Sequence, residues 1–165
     1  KVAGAVKLVK QLGDAGIKGD AGGMQAHYSL FYPSLSDIEQ SMKTLRNAGV
    51  RIAITELDIS VLPLPDNAFS GADITQSFAA HPVYDPYVEG LPATQQHQLA
   101  ELYQQLFALF LKYADSVDRV TFWGTTDADS WRNNWPIRGR TDHPLLFDRN
   151  GRPKAAYEAI TRHID

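Results

Sequence analysis

Two carboxylates sit two positions apart in the most strand-like stretch of the sequence. Residues 50 to 59 read Val-Arg-Ile-Ala-Ile-Thr-Glu-Leu-Asp-Ile. Successive strand side chains point to opposite faces, so Glu56 and Asp58 share a face, about 7 Å apart along the strand. The apolar Ile-Ala-Ile run before them implies burial, and a carboxylate at a buried strand end is a candidate for proton transfer or nucleophilic attack. The same parity pairs Gln25 with His27 on a short strand over 24–28, and Thr121 with Trp123 on a strand over 119–123. Each pair lies toward the C-terminal end of its strand, where α/β barrels and open α/β sheets bind ligands.

Plainer readings stand beside these. Glu56 and Asp58 could be solvated rim residues, His27 a satisfied structural histidine, and Trp123 and Trp131 core. Trp131, however, lies in the polar segment Asp-Ser-Trp-Arg-Asn-Asn-Trp, which is a poor core sequence. Other chemistries are disfavoured. There is no cysteine, hence no disulfide, thiolate zinc site or cysteine nucleophile. The five histidines lack ligand spacing such as HExxH, and the glycines of 13–23 lack the GxxxxGK[ST] pattern of a phosphate loop, so neither metal nor cofactor is expected. Sixteen Lys and Arg against nineteen Asp and Glu leave a charge of -3, which argues against affinity for nucleic acid. No apolar run approaches the roughly 20 residues of a membrane span, and nothing after Lys1-Val2-Ala3-Gly4-Ala5 reads as a signal peptide.

The elements that must position these residues follow from periodicity. Val2, Ala5, Val6, Val9 and Leu12 recur at helical spacing, with Gly13 and Gly16 able to end the helix. Asp20 to Gly23 reads as a turn. Ser36 and Glu39 make a capping-box pattern before a helix with Leu35, Ile38, Met42 and Leu45 on its apolar stripe, and Gly49 suits its C-terminal cap. Leu62 to about Thr94 is a long connection with five prolines. Loops of that length are functional or disordered, and Phe69, Phe78, Tyr84 and Tyr87 favour an ordered one. Leu99, Leu102, Tyr103, Leu106, Phe107, Phe110 and Leu111 trace the apolar face of a third helix, and Lys154 to His163 forms a fourth. The order α, β, α, β, α, β, α implies parallel strands with crossover helices in one α/β domain. Three strands cannot close an eight-stranded barrel, which takes about 250 residues. The 165 residues therefore form either a small open sheet or part of a larger barrel.

Five stretches, in order, carry a resemblance. Ile54-Thr55-Glu56-Leu57-Asp58-Ile59 resembles the nucleophile strand of the family 10 glycoside hydrolases, chiefly endo-1,4-β-xylanases. Gly23-Met24-Gln25-Ala26-His27 is similar to that family's preceding strand. Phe122-Trp123-Gly124 with Asp127, Ser130 and Trp131 is similar to its last strand and following loop. Pro144 to Asp148 and Lys154 to Tyr157 resemble its closing segment and final helix, and Asp85-Pro86-Tyr87 with Gly90-Leu91-Pro92 also fits. The likeness spans nearly the whole chain.

The resemblance implies the C-terminal part of a (β/α)8 barrel acting on β-1,4-linked xylan, and a secreted protein. Glu56 matches the catalytic nucleophile of a retaining glycosidase. His27 and Asp58 match residues that hydrogen-bond around it, Gln25 a cleft-lining residue, and Trp123 and Trp131 the aromatic walls of the sugar subsites. One departure is serious. The family's general acid/base lies on an earlier strand in a Trp-x-x-x-Asn-Glu context, and this sequence contains no Asn-Glu pair. The chain is therefore expected to be inactive alone. It is also expected to need a companion chain carrying the N-terminal half, or to self-associate through open strand edges. A non-catalytic carbohydrate-binding half-barrel and an inactive truncation product are the competing readings, and cellulose-type glucan is the competing substrate.

Overall fold

The computed structural model describes residues 1–65 and 77–162. Its elements are helix α1 (Val2–Asp14), strands β1 (Ala21–Met24) and β2 (His27–Ser29), helix α2 (Leu35–Asn47), strand β3 (Arg51–Ser60), helix α3 (Ala93–Lys112), strand β4 (Val117–Phe122) and helix α4 (Ala155–Thr161). All strand pairings are parallel. β3 is central, β1 and β2 pair with its two halves, and β4 pairs with it as well. Among the described residues the outer edges of β1 and β4 have no partner strand, which makes the sheet an open segment of a barrel.

Several expectations need correction. Asp20 to Gly23 is not a turn, because Ala21–Met24 is strand. A Cβ on Gly22 would lie 3.3 Å from Leu45 Cδ2, so this glycine lets α2 pack close to the strand. The cap of α2 is Ser34, whose hydroxyl accepts from the Asp37 amide. Glu39 instead reaches α3, where it accepts bonds from Lys112 and Tyr113. Gly49 does follow the helix in the left-handed region (φ 79). The expected single strand over 24–28 is broken by Ala26, whose φ is 65. In the long connection, Phe69 lies outside the described residues, as does His163 at the chain's end. Phe78 donates its amide to Pro136, and Tyr84 ends a short turn of 3-10 helix.

A one-residue bulge in β3 sets the chemistry. Between Ile54 and Leu57 the strand advances three residues while β4 advances two, from Val120 to Phe122. On the other edge, Ile54 to Asp58 spans four residues opposite three, from Met24 to His27. The extra residue reverses the strand's alternation. Ile52 and Ile54 before it, and Leu57 and Ile59 after it, thus all enter one core with Met42, Leu99, Tyr103 and Leu106 from the helices. Glu56 and Asp58 are left on the opposite, inner face. Phe122 packs toward α3, near Tyr103 and Phe107, while Thr121 and Trp123 are exposed. Helix α1 is amphipathic but has no fully buried residue.

Candidate active site

Ala26 and the bulge together aim three side chains at one point. His27 Nδ1 lies 3.0 Å from Asp58 Oδ2, and His27 Nε2 lies 3.0 Å from Glu56 Oε2. The imidazole thus bridges the two carboxylates that the sequence placed on one face. Glu56 retains 23% side-chain exposure, whereas Asp58 has none, so only the former is open to a ligand.

Asp58 accepts from three donors. Besides His27, Trp131 Nε1 donates to Oδ2 at 2.7 Å and Arg132 Nε to Oδ1 at 3.0 Å, and Arg132 Nη2 forms an ion pair with Oδ1 at 2.9 Å. Burial by itself would push this carboxyl up. The His27 bond and the Arg132 charge outweigh it, with the Trp131 bond added, and hold the group below the ordinary aspartate range. An ionised carboxylate is acceptor-only, so His27 Nδ1 must be the donor. One proton then lies between His27 Nε2 and Glu56, carried either by an imidazolium or by a carboxylic acid.

The tryptophans occupy different positions. Trp131 has its indole N–H committed to Asp58, its ring centroid 4.8 Å from that of His27, and one side stacked on Trp135 at 4.9 Å. Trp123 is 46% exposed, with its ring edge-on to His27 at 6.4 Å, and it leaves a wide indole surface free. Gln25 is exposed, and the φ of Ala26 interrupts the alternation that paired it with His27.

Sequence reasoning missed Arg132 and Trp135. The only signal was their place in the polar segment around Trp131. That segment is held by a second buried network. Asp142 accepts from Ser60 and from the amides of Val61 and His143, and its own amide donates to Asn133. Lys154 Nζ donates to Asp127 and to the carbonyls of His143 and Leu145. Among the described residues, no group of three or more His, Asp or Glu could hold a metal ion, and no helix is long and apolar enough to cross a membrane.

The family model for glycosyl hydrolase family 10 matches residues 1–163. The chain belongs to that family. It is 43% identical to endo-1,4-beta-xylanase A of Xylanibacter ruminicola over 95% of its own length and 42% of the relative's. It is 35% identical to a beta-1,4-xylanase of Dictyoglomus thermophilum over 96% of its length and 40% of the relative's. The solved structure of a family 10 endoxylanase from a sugarcane soil metagenome superposes with a TM-score of 0.92 at 42% identity, covering 96% of this chain and 46% of that one. This member of family 10 therefore spans less than half the length of these relatives. It corresponds to the C-terminal part of the (β/α)8 catalytic domain, in agreement with the open sheet.

Proposed function

We propose that this chain carries the nucleophile half of a retaining endo-1,4-β-xylanase site and works when a second polypeptide segment supplies the other half. The observation that supports this most is the pairing of Glu56 with His27. Glu56 is the one carboxylate of the cluster that is partly exposed, and its partner His27 has the exposed Trp123 ring 6.4 Å away. Trp123 and Trp131 would wall the sugar subsites, since indole faces suit the apolar faces of pyranose rings, and Gln25 would line the cleft. Cleavage then follows the two-step route. A Glu56 oxygen attacks the anomeric carbon, the glycosidic C–O bond breaks, and the leaving oxygen takes a proton from a general acid. Water, deprotonated by the same group, then cleaves the glycosyl ester and regenerates Glu56.

That second carboxyl must stand about 5–5.5 Å from the nucleophile. Asp58 cannot serve, because it is fully buried and committed to three hydrogen-bond donors and the Arg132 ion pair. The acid/base therefore comes from the N-terminal half of the barrel, on a companion or on the same polypeptide, which also covers the open edges of β1 and β4. Pairing between copies of this chain is the other way to cover those edges. The chain alone does not hydrolyse xylan, and the intact protein is secreted. The test is reconstitution with a separately produced N-terminal half from a family 10 xylanase. The mixture should release reducing sugar from xylan, and Glu56→Gln should remove turnover while oligosaccharide binding persists. Turnover that survives Glu56→Gln rejects the assignment, and sugar binding that never acquires turnover favours a carbohydrate-binding module.

A further inference from the structure

We propose that Arg132 is a positioning residue of this site. Its guanidinium holds Asp58 as a carboxylate, fixes the proton of His27 on Nδ1, and leaves Nε2 as the nitrogen that shares a proton with Glu56.

The geometry is specific. Arg132 is 5% exposed and follows Trp131 in a short turn whose first amide bond is made by the Ser130 hydroxyl. Two of its nitrogens converge on Asp58 Oδ1, leaving Oδ2 to Trp131 and His27. A third interaction reaches the Tyr28 carbonyl at 3.5 Å, and the guanidinium carbon lies 5.0 Å from the Trp131 ring centroid. Arg132 is thus the permanent cation that Asp58 has within ion-pair distance among the described residues. Other groups surround the pair: Arg140 lies in the field of Arg132 and of Asp142. Glu56 shares β3 with Asp58, and the rings of Trp123 and Trp131 flank His27. The buried Tyr103 hydroxyl of α3 lies in the field of Asp58 and Arg132 but donates to Pro144.

The charge count gives the consequence. With Arg132 present, Asp58 is already balanced, so the second imidazole proton is exchanged with Glu56 alone. Without it, the buried Asp58 must draw its counter-charge from His27, which holds the imidazolium more tightly. An apolar residue at 132 would still fill space but could not do this.

The inference bears on turnover only if Glu56 is the nucleophile, so the test avoids turnover. The full chain is labelled with 15N-histidine, and the His27 ring nitrogens are followed through pH, assigned by their loss in His27→Gln. The neutral ring should carry its proton on Nδ1. Arg132→Gln should move the His27 midpoint up by about one pH unit or more, and Arg132→Lys should restore at least half of that shift. An unmoved midpoint in Arg132→Gln, or a neutral ring protonated on Nε2 in the parent, overturns the proposal. If Arg132→Gln does not fold, Arg132→Met takes its place, with the same upward shift expected and an unmoved midpoint overturning the proposal. A shifted titration in a protein that never gains xylanase activity upholds this role for Arg132 and rejects the functional reading.

Discussion

Lys154 Nζ lies 2.9 Å from Asp127 Oδ2, with 9% and 0% of the two side chains exposed. The ammonium's other two protons go to the carbonyls of His143 and Leu145. This ties α4 to the segment that positions Trp131 and Arg132. Lys154→Met should therefore destabilise the fold by about 3–5 kcal/mol, because it leaves a buried carboxylate without its cation, with the Leu145 amide and the His143 ring beside it. Urea unfolding checks this, and a loss under about 1 kcal/mol would mean that Asp127 is served by other donors.

Stability should fall in acid partly through Asp58. Burial raises its carboxyl and its partners lower it further, for a net downward shift. A depressed folded value means that the stabilisation is complete above the unfolded value of about 3.9 and is lost as pH falls through the folded one. Glu39, held at about 2 by bonds from Lys112, Tyr113 and Lys43, acts in the same direction, weakened by solvent. Asp58→Asn should flatten the acid limb by about one proton. It should also cost about 3–5 kcal/mol near neutrality by leaving Arg132 unpaired. Unfolding free energy measured from pH 2 to 7 in both proteins separates the two effects.

How much of this was legible in the sequence varies by residue. The strand around Glu56 and Asp58 was plain because β-branched runs state their own periodicity, and the parallel order followed from alternation with helices. Parity alone would have put Ile52, Ile54, Glu56 and Asp58 on one face. The bulge that separates them is a property of register with two neighbouring strands and leaves no local mark. Gly22 and Gly23 read as a turn because composition does not distinguish conformational freedom from close approach. Ser36 reads as the cap because the Ser-x-x-Glu pattern is present, whereas Ser34 caps the helix and Glu39 answers to residues more than 70 positions away. Arg132 was invisible for the same reason: its partner is 74 residues distant.

The free indole of Trp123 gives a prediction about ligands. The residue is 46% exposed, so Trp123→Ala should change folding stability little. It should weaken xylo-oligosaccharide binding by about 1–2 kcal/mol of lost apolar contact, roughly 5- to 30-fold. Calorimetric titration of the reconstituted protein checks this. Equal affinity in both proteins would place the sugar elsewhere.

Gly124 should resist even a methyl group. It directly follows Trp123, whose amide donates to Leu57 of the nucleophile strand, and its φ of 141 is one that L side chains rarely adopt. A Cβ there would stand 2.8 Å from Leu145 Cδ1. Leu145 cannot readily give way: it is 1% exposed, its amide donates to Asp127 and its carbonyl accepts from Lys154. Overpacking and backbone strain together should cost about 2–4 kcal/mol. The two contributions are separable, since Leu145→Ala opens the space but leaves the backbone unchanged. In a double-mutant cycle followed by urea unfolding, Leu145→Ala should cost less in the Gly124→Ala background than in the parent. Strict additivity would assign the whole penalty to φ, and a Gly124→Ala protein as stable as the parent would refute both contributions.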